Sequence, residues 1–420
     1  MRNLRQTIGN VFRLGSGEAV ARACGIATVI LLGHWYGVAL LGAFALAQGL
    51  TQYLQPMIDF GLRHVGARLI AVYPQAGREI VQRVQRRRRR MAAAVLPLIL
   101  VYALLAKLPV EMKLFLLLFA SISVLHVISL DWAAWGKQQL HLVGFARAVV
   151  PASILASVLL AGRSDHILWW LVGGNAAGYG IQGAIFWFWW RRRPSLGDAQ
   201  PQIPAISESL AWQKTSIMGL AWLGNLAFNT IDMLMLGIMS NAQQVGLYSA
   251  AYRVLNQVLI TYYLVTQTMY PQLAQHEVAD RRRMLRANIL LPLAGCGGAL
   301  AVILAVARRP VLTILFGHAF LAAGPLLLLL AWAIPLDFLT SWLSNAYIAW
   351  GMERRVLLCT TVAAGSNVVL NLVGIPRYGA MAAAVNTLIS YVLFLAGLAW
   401  LGRRGAELGS RAQPQPELMA

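Results

Sequence analysis

Apolar blocks of about 18 to 25 residues recur along the whole chain, each long enough to cross a hydrocarbon layer of roughly 30 Å. Such a chain has no way to hide its apolar surface in one water-soluble core. Hydrophobic residues make up 59% of it and charged residues 12%, against roughly 25% charged in an ordinary soluble domain. The expected fold is an all-α polytopic membrane protein. Twelve spans can be drawn, at roughly 14–34, 38–62, 91–106, 114–134, 145–162, 166–190, 215–239, 244–270, 288–306, 320–350, 356–374 and 379–401. The tenth is long enough to break, and Pro325 and Pro335 are where the break is expected.

The formal charge of +20 and the five consecutive arginines Arg86 to Arg90 raise the question of nucleic acid. Placing the N-terminus inside answers it. The cytoplasmic segments then hold 27 of the 35 lysines and arginines, and the outer loops hold 6, as the positive-inside rule requires. Both termini are therefore expected in the cytoplasm. The five arginines would sit just cytoplasmic of the third span, where each is worth about 1 kcal/mol against anionic lipid headgroups. A nucleic-acid surface needs a folded basic face or interleaved aromatics, and the short loop expected here has room for neither.

Several chemistries lack their residues. Cys24, Cys296 and Cys359 lie inside apolar segments without metal-ligand spacing, so neither a disulfide framework nor a metal site is expected. The basic N-terminus has no short apolar core followed by a cleavage site and reads as retained. No phosphate-binding loop or nucleotide fingerprint is present. No Ser-His-Asp set, paired acids or His cluster falls on a loop, and a glycan polymerase would more usually show a large outer loop. The expectation is a transporter and not an enzyme, without cofactor.

The chain also resembles itself. "LLGAFALAQGLTQ" from Leu40 aligns with "QVGLYSAAYRVLN" from Gln244, matching Gly42 to Gly246. "AAWGKQQLHLVG" from Ala133 aligns with "IAWGMERRVLLC" from Ile348. Two matches in order point to six spans repeated in parallel. The expected domains are a six-helix lobe at 1–190, a cytoplasmic linker at 191–213, a second six-helix lobe at 214–402 and a tail at 403–420.

Charges inside a membrane are costly, at about 2.5 to 3.5 kcal/mol each on an insertion scale, and each needs a reason. Glu18 and Arg22, four apart, either neutralise each other or leave Arg22 to meet an anionic group. Arg253 falls near mid-membrane; it either pairs with Asp232 on the seventh span or faces a wet cavity, where guanidinium suits phosphate. Asp337 follows Pro335 and reads either as a proton or sodium site or as an acceptor for Thr340 or Ser341. Asp59 and Asp131 lie near cytoplasmic ends, where hydrated structural roles are favoured. Asn367 and Asn371 form a polar stripe of the kind that joins helices.

Four stretches carry a family resemblance: "GEAVARACGIATVILLGHWYGVALLGAFALAQ" from Gly17, "NTIDMLMLGIMSNAQQVGLYSAAYRV" from Asn229, "MYPQLAQ" from Met269 and "NVVLNLVGIPRYGAMAAAVNT" from Asn367. On these the chain resembles the Wzx-type polysaccharide transporters of the MATE-like (MOP) flippase superfamily. The resemblance implies two six-helix lobes around a central cavity in a bacterial inner membrane. It implies movement of undecaprenyl-diphosphate-linked oligosaccharide from the cytoplasmic to the outer leaflet, for O-antigen, capsule or exopolysaccharide synthesis, with H+ or Na+ as the coupling ion. By the same resemblance Arg22 and Arg253 would meet the diphosphate. Gln52, Asn229, Asn256, Asn367 and Asn371 would line the cavity, and Asp337, Asp232 and Asp59 are the ion-coupling candidates. Partners would be the lipid-linked glycan, anionic lipids and the polymerase and chain-length machinery of the pathway, with no nucleic acid. A multidrug antiporter of the same fold and a lipid II flippase are the alternatives. Tyr252, where lipid II flippases tend to carry an acid, and twelve spans where they tend to have 14, both depart from the latter.

Overall fold

The computed structural model describes residues 2–192, 219, 223–224, 226–228, 230–275 and 287–408, with backbone alone at 2–14, at 402–408 and at scattered positions between 261 and 288. The linker beyond residue 192, Asn229, the arginines at 281–283 and 286, and the tail from 409 lie outside these residues. Among the described residues the chain is helical, and seven helical stretches are long and apolar enough to cross a membrane.

Two compact units emerge. Unit 1 takes Met1–Leu226, Gly237–Gly246 and Leu315–Ala319; unit 2 takes Ala227–Leu236, Leu247–Ile314 and Phe320–Ala420.

The first unit opens with α1 (Arg2–Asp59), which covers the first two expected spans. They are divided at Gly37, whose φ of 76° and ψ of −165° an L-residue strongly resists. Then come α2 (Leu62–Val72) and α3 (Gly77–Leu105). The third span was expected to begin at 91, after a loop carrying the arginines. Instead α3 is helical from Gly77, and Arg86 to Arg90 belong to it. The reason is packing. Ile80, Val81 and Val84 follow helical spacing into a buried cluster with Leu62, Val65, Leu69, Ile70, Trp132 and Phe186, so the helix is held well beyond its apolar block.

The fourth span is interrupted. It comprises α4 (Val110–Ser123), a 3-10 turn at Val124–Ile128, an extended Ser129, and α5 (Asp131–Gly136). Two long helices complete this run, α6 (Leu140–Ala161) and α7 (Ile167–Arg191).

A short helix α8 (Thr230–Met239) follows, then α9 (Ala242–Gln275) and α10 (Ala287–Phe316). The expected tenth span is split into α11 (Gly324–Ala331) and α12 (Ala333–Ala349). Its prolines stand at the breaks, Pro325 just after the start of α11 and Pro335 just after the start of α12. Pro325 and Pro335 each occupy a first helical turn, where a missing N–H costs nothing. The chain ends in α13 (Glu353–Tyr378) and α14 (Ala380–Leu408).

Backbone geometry recurs at matching hairpins. Gly162 closes α6 with φ 57° and ψ −125°, and Gly379 closes α13 with φ 57° and ψ −136°. The aligned glycines Gly42 and Gly246 also meet. A β-carbon at Gly42 would collide with the carbonyl of Ala242, and one at Gly246 with the carbonyl of Val38. Ala242 is the repeat mate of Val38, so the contact is reciprocal, as a local two-fold relation between the two segments requires. Small residues let helix backbones approach this closely. Gly42→Val should therefore lower the melting temperature of detergent-purified protein and its monodisperse yield, since overpacking costs about 1–3 kcal/mol even against movable side chains. Gly180→Ala, at a helical glycine with open space around it, should leave both unchanged. Equal behaviour of the two variants would refute the close crossing.

Candidate functional site

In unit 2, four helices bring polar side chains to one buried carboxylate. Asp232 on α8 is 2% exposed. Its Oδ2 accepts from the Tyr248 hydroxyl of α9 at 2.8 Å and the Thr387 hydroxyl of α14 at 2.8 Å. Its Oδ1 accepts from the Asn371 amide of α13 at 2.6 Å. Asn371 also donates to Asn367 Oδ1 at 2.9 Å, and Asn386 donates to Asn371 Oδ1 at 2.9 Å. The asparagine stripe of α13 thus joins helices and reaches an acid at the same time.

Thr387 Oγ1 lies 2.8 Å from both Asp232 and the Ala383 carbonyl. A hydroxyl has one proton and can donate to only one of them at a time. All of Asp232's described hydrogen-bond partners are neutral. A carboxylate withdrawn from water in this way needs polar or cationic partners to offset the lost hydration. The oxygens of Asp232, Asn367, Asn371 and Thr387 are the hard donors that alkali and alkaline-earth cations take.

A second acid follows one helical turn away along α14. Tyr391 donates to Asp337 Oδ1 at 3.2 Å, and Ser341 lies 3.4 Å from Oδ2. Thr340 turns instead to the backbone carbonyls of Leu336 and Asp337. Asp337 is half-buried on α12. Since Thr387 and Tyr391 are four residues apart, the two acids address points about 6 Å apart along one face of α14. Tyr391 is itself held by edge contact with Phe228 at 5.3 Å.

In unit 1, Arg22 donates to Glu18 Oε1 at 3.1 Å, the pairing that their spacing allows. The sequence did not single out Arg147 of α6, which lies 3.5 Å from Glu18 Oε2. One glutamate therefore holds two arginines, all three are 40 to 46% exposed, and the set keeps a net positive charge. Gly17 and Gly144 bring α1 and α6 together here, because a β-carbon on Gly17 would strike the Gly144 backbone. A groove of about 710 Å³ between the same helices is lined by Gly17, Val20, Phe145 and Ala152. It is apolar and suited to hydrocarbon more than to a headgroup.

The remaining candidates are dispersed. Gln52 is exposed on α1, while Arg253 and Asn256 are half-buried on α9. Asn229 lies outside the described residues. Asp59 is met by Arg88, whose Nε donates to Oδ1 at 2.8 Å, and by Arg63 at 3.5 Å. Asp131 pairs with Arg63. Both acids are buried and ion-paired, where sequence position had suggested hydration. Arg88, third of the five arginines, is fully buried, so the headgroup expectation fails for it. Arg86, Arg87, Arg89 and Arg90 are exposed.

No protein-family model matches the chain. It is 23% identical over 179 residues to a Haloferax volcanii protein named "Probable low-salt glycan biosynthesis flippase Agl15". That match covers 41% of this chain and 37% of the relative, little more than a third of its length. Among solved structures, an inward-facing multidrug resistance MATE family transporter of the MOP superfamily superposes with a TM-score of 0.70. The identity is 12%, and the superposition covers 96% of this chain and all of the other. Lipid II flippase MurJ, in an inward closed conformation, gives 0.69 at 12% identity over 93% of this chain and 87% of that one. The chain has the MOP-superfamily fold. At this identity the likeness concerns the MOP fold alone, and it agrees with the all-α polytopic architecture expected from the apolar blocks.

Proposed function

We propose that the protein is a flippase that moves undecaprenyl-diphosphate-linked oligosaccharide units from the cytoplasmic to the outer leaflet of a bacterial inner membrane by alternating access, for O-antigen, capsule or exopolysaccharide synthesis. The observation that carries this reading is the Glu18, Arg22 and Arg147 set. Two half-exposed guanidiniums held by one carboxylate on membrane helices can offer an anion paired, charge-assisted hydrogen bonds. A diphosphate, with about two negative charges, cannot cross hydrocarbon unaided. Arg253, on α9, is the further cation assigned to it. The curated relative's name, a glycan biosynthesis flippase, points the same way.

The coupling ion, H+ or Na+, is assigned to Asp232, with Asp337 as the second acid of the same unit. With the cell interior negative, outward movement of anionic charge gains about 2.3 kcal/mol per charge per 100 mV, so the membrane potential adds to any ion gradient.

The test is transbilayer movement of a fluorescent undecaprenyl-diphosphate oligosaccharide in proteoliposomes. Wild type should flip it, Arg253→Ala should abolish flipping at unchanged membrane abundance, and Arg22→Ala should slow it at least about tenfold, the loss of one charge-assisted contact of about 1.5–3 kcal/mol. Movement of an organic cation in place of the lipid would hand the case to a drug antiporter. Loss of folded protein in Arg253→Ala would make that arginine structural.

A further inference from the structure

The apolar groove beside the Glu18 set continues past α1. A second depression, of about 510 Å³ between α6 and α7, is lined by Leu160, Trp169 and Gly173, and it shares Ser153 and Ala156 with the first. Together they follow α6 from His141 to Leu160, a run of about 28 Å at about 1.5 Å per residue. The floor is made by small residues. Ala152, Ser153, Ala156 and Gly173 line it, and a β-carbon on Gly173 would meet nothing within 4 Å. The helices that border it are in close contact, since a β-carbon on Gly17 would strike the Gly144 backbone and one on Gly178 the Val150 backbone. The groove is therefore a furrow over joined helices.

Two observations point to its occupant. The first is length. The run nearly equals a hydrocarbon core of roughly 30 Å, whereas each acyl chain of a phospholipid belongs to one leaflet and reaches about half of that. A furrow that crosses both leaflets suits one long hydrocarbon chain. The second is charge. Arg147 lies between Phe145 and Ala148 on α6, and Arg22 lies just beyond Val20 on α1, so the net positive Glu18, Arg22 and Arg147 set stands beside the furrow toward its His141 end. Trp169 and Trp170, exposed at 56% and 42%, stand at the Leu160 end, as aromatic side chains do at a membrane interface. A chain that leaves lipid for protein gains nothing from apolarity alone. What selects it is the shape of the furrow and the anion at one end.

We propose that this furrow on α6 and α7 holds the polyprenyl chain of an anionic isoprenoid lipid, with its diphosphate at Arg22 and Arg147. The class of lipid rests on the flippase reading; the place where its tail is held is new. A tail lying there stays in contact with hydrocarbon, and only the headgroup has to leave the membrane surface.

The experiment is photolabelling of the full chain in nanodiscs by undecaprenyl diphosphate carrying a diazirine near the far end of its chain, with the labelled residues mapped by mass spectrometry. Label should concentrate on residues 152–177 and be displaced by unlabelled undecaprenyl diphosphate. Ala156→Phe, at an exposed residue where the two parts of the groove meet, should lower it about fivefold or more, the effect of overpacking an occupied site. Ala152→Phe is the second blocking variant. Leu159→Trp, at an exposed residue of α6 outside the groove, should leave the label unchanged. Label spread over all exposed helix faces, equal labelling of this face by a diazirine phosphatidylglycerol, or unchanged labelling in both blocking variants would overturn the assignment. Transbilayer movement is scored separately. Wild type that takes the label here without flipping the lipid would remove the flippase reading and keep the groove, and flipping without label here would do the reverse.

Discussion

Arg88→Ala is expected to cause the largest loss of stability of any single replacement in the arginine run. It leaves Asp59 with only its longer contact to Arg63, takes a donor from three backbone carbonyls and leaves a cavity where a fully buried guanidinium stood. Breaking a buried ion pair from one side costs about 3–5 kcal/mol, a large share of the total stability of a typical domain. Arg88→Lys should rescue little, since one ammonium cannot span acceptors arrayed around a planar fork. Arg87→Ala and Arg89→Ala, exposed neighbours on the same helix, should stay within about 0.5 kcal/mol of wild type. The measurement is thermal melting of detergent-solubilised protein by size-exclusion fluorescence. If all three alanine variants melted together, the assignment of Arg88 as the clamp would be wrong.

Asp232→Asn should leave the fold intact and remove ion dependence. The amide is nearly isosteric with the carboxylate, and its oxygen can still accept from Tyr248 and Thr387. What it loses is the acceptor for the Asn371 amide and the charge that attracts a proton or sodium ion. Transport driven by an imposed ion gradient should fall about a hundredfold, since the full charge of the site is lost and each 1.4 kcal/mol of coupling is a factor of ten. Abundance and melting temperature should change little. Asp337→Asn should have a smaller effect, because Asp337 is only half-buried and has fewer polar partners, Tyr391 and Ser341, than Asp232. Gradient dependence that survives in Asp232→Asn and vanishes in Asp337→Asn would transfer the coupling role to the second acid. Survival in both variants would remove ion coupling from this unit.

Much of the fold was legible because hydrocarbon imposes a length. The spans at 145–162, 166–190, 356–374 and 379–401 coincide within a few residues with α6, α7, α13 and α14. The glycines between them mark turns that only glycine makes without strain. The interrupted fourth span was not legible. Its residues 114–134 are mostly apolar, and the carbonyls at the break are met by a guanidinium arriving from α3. The extra turns of α3 were also missed, since arginines next to an apolar block look like a loop when read by composition. Helical spacing of Ile80, Val81 and Val84, with Arg88 four residues further on, was the available signal.

The sites divide in the same way. Asp232, Asn367, Asn371 and Asp337 stood out because each is a polar group in an apolar segment, where its cost demands a reason. Thr387 did not, because a threonine hydroxyl in a membrane helix can satisfy itself on the preceding turn, as it does on Ala383, and Tyr248 and Tyr391 did not, because a tyrosine among apolar residues reads as one more aromatic side chain. The sequence by itself determined that the chain is a set of membrane helices, roughly where they end, and which residues are too polar to be there by default. Those properties depend on local length and transfer energy. Only the tertiary structure decided that Asp232 meets Asn371 139 residues away and Thr387 155 residues away, or that one arginine of five is buried. Those outcomes depend on how each helix is rotated about its axis against its neighbours, and that rotation is set by side-chain packing between segments far apart in the chain.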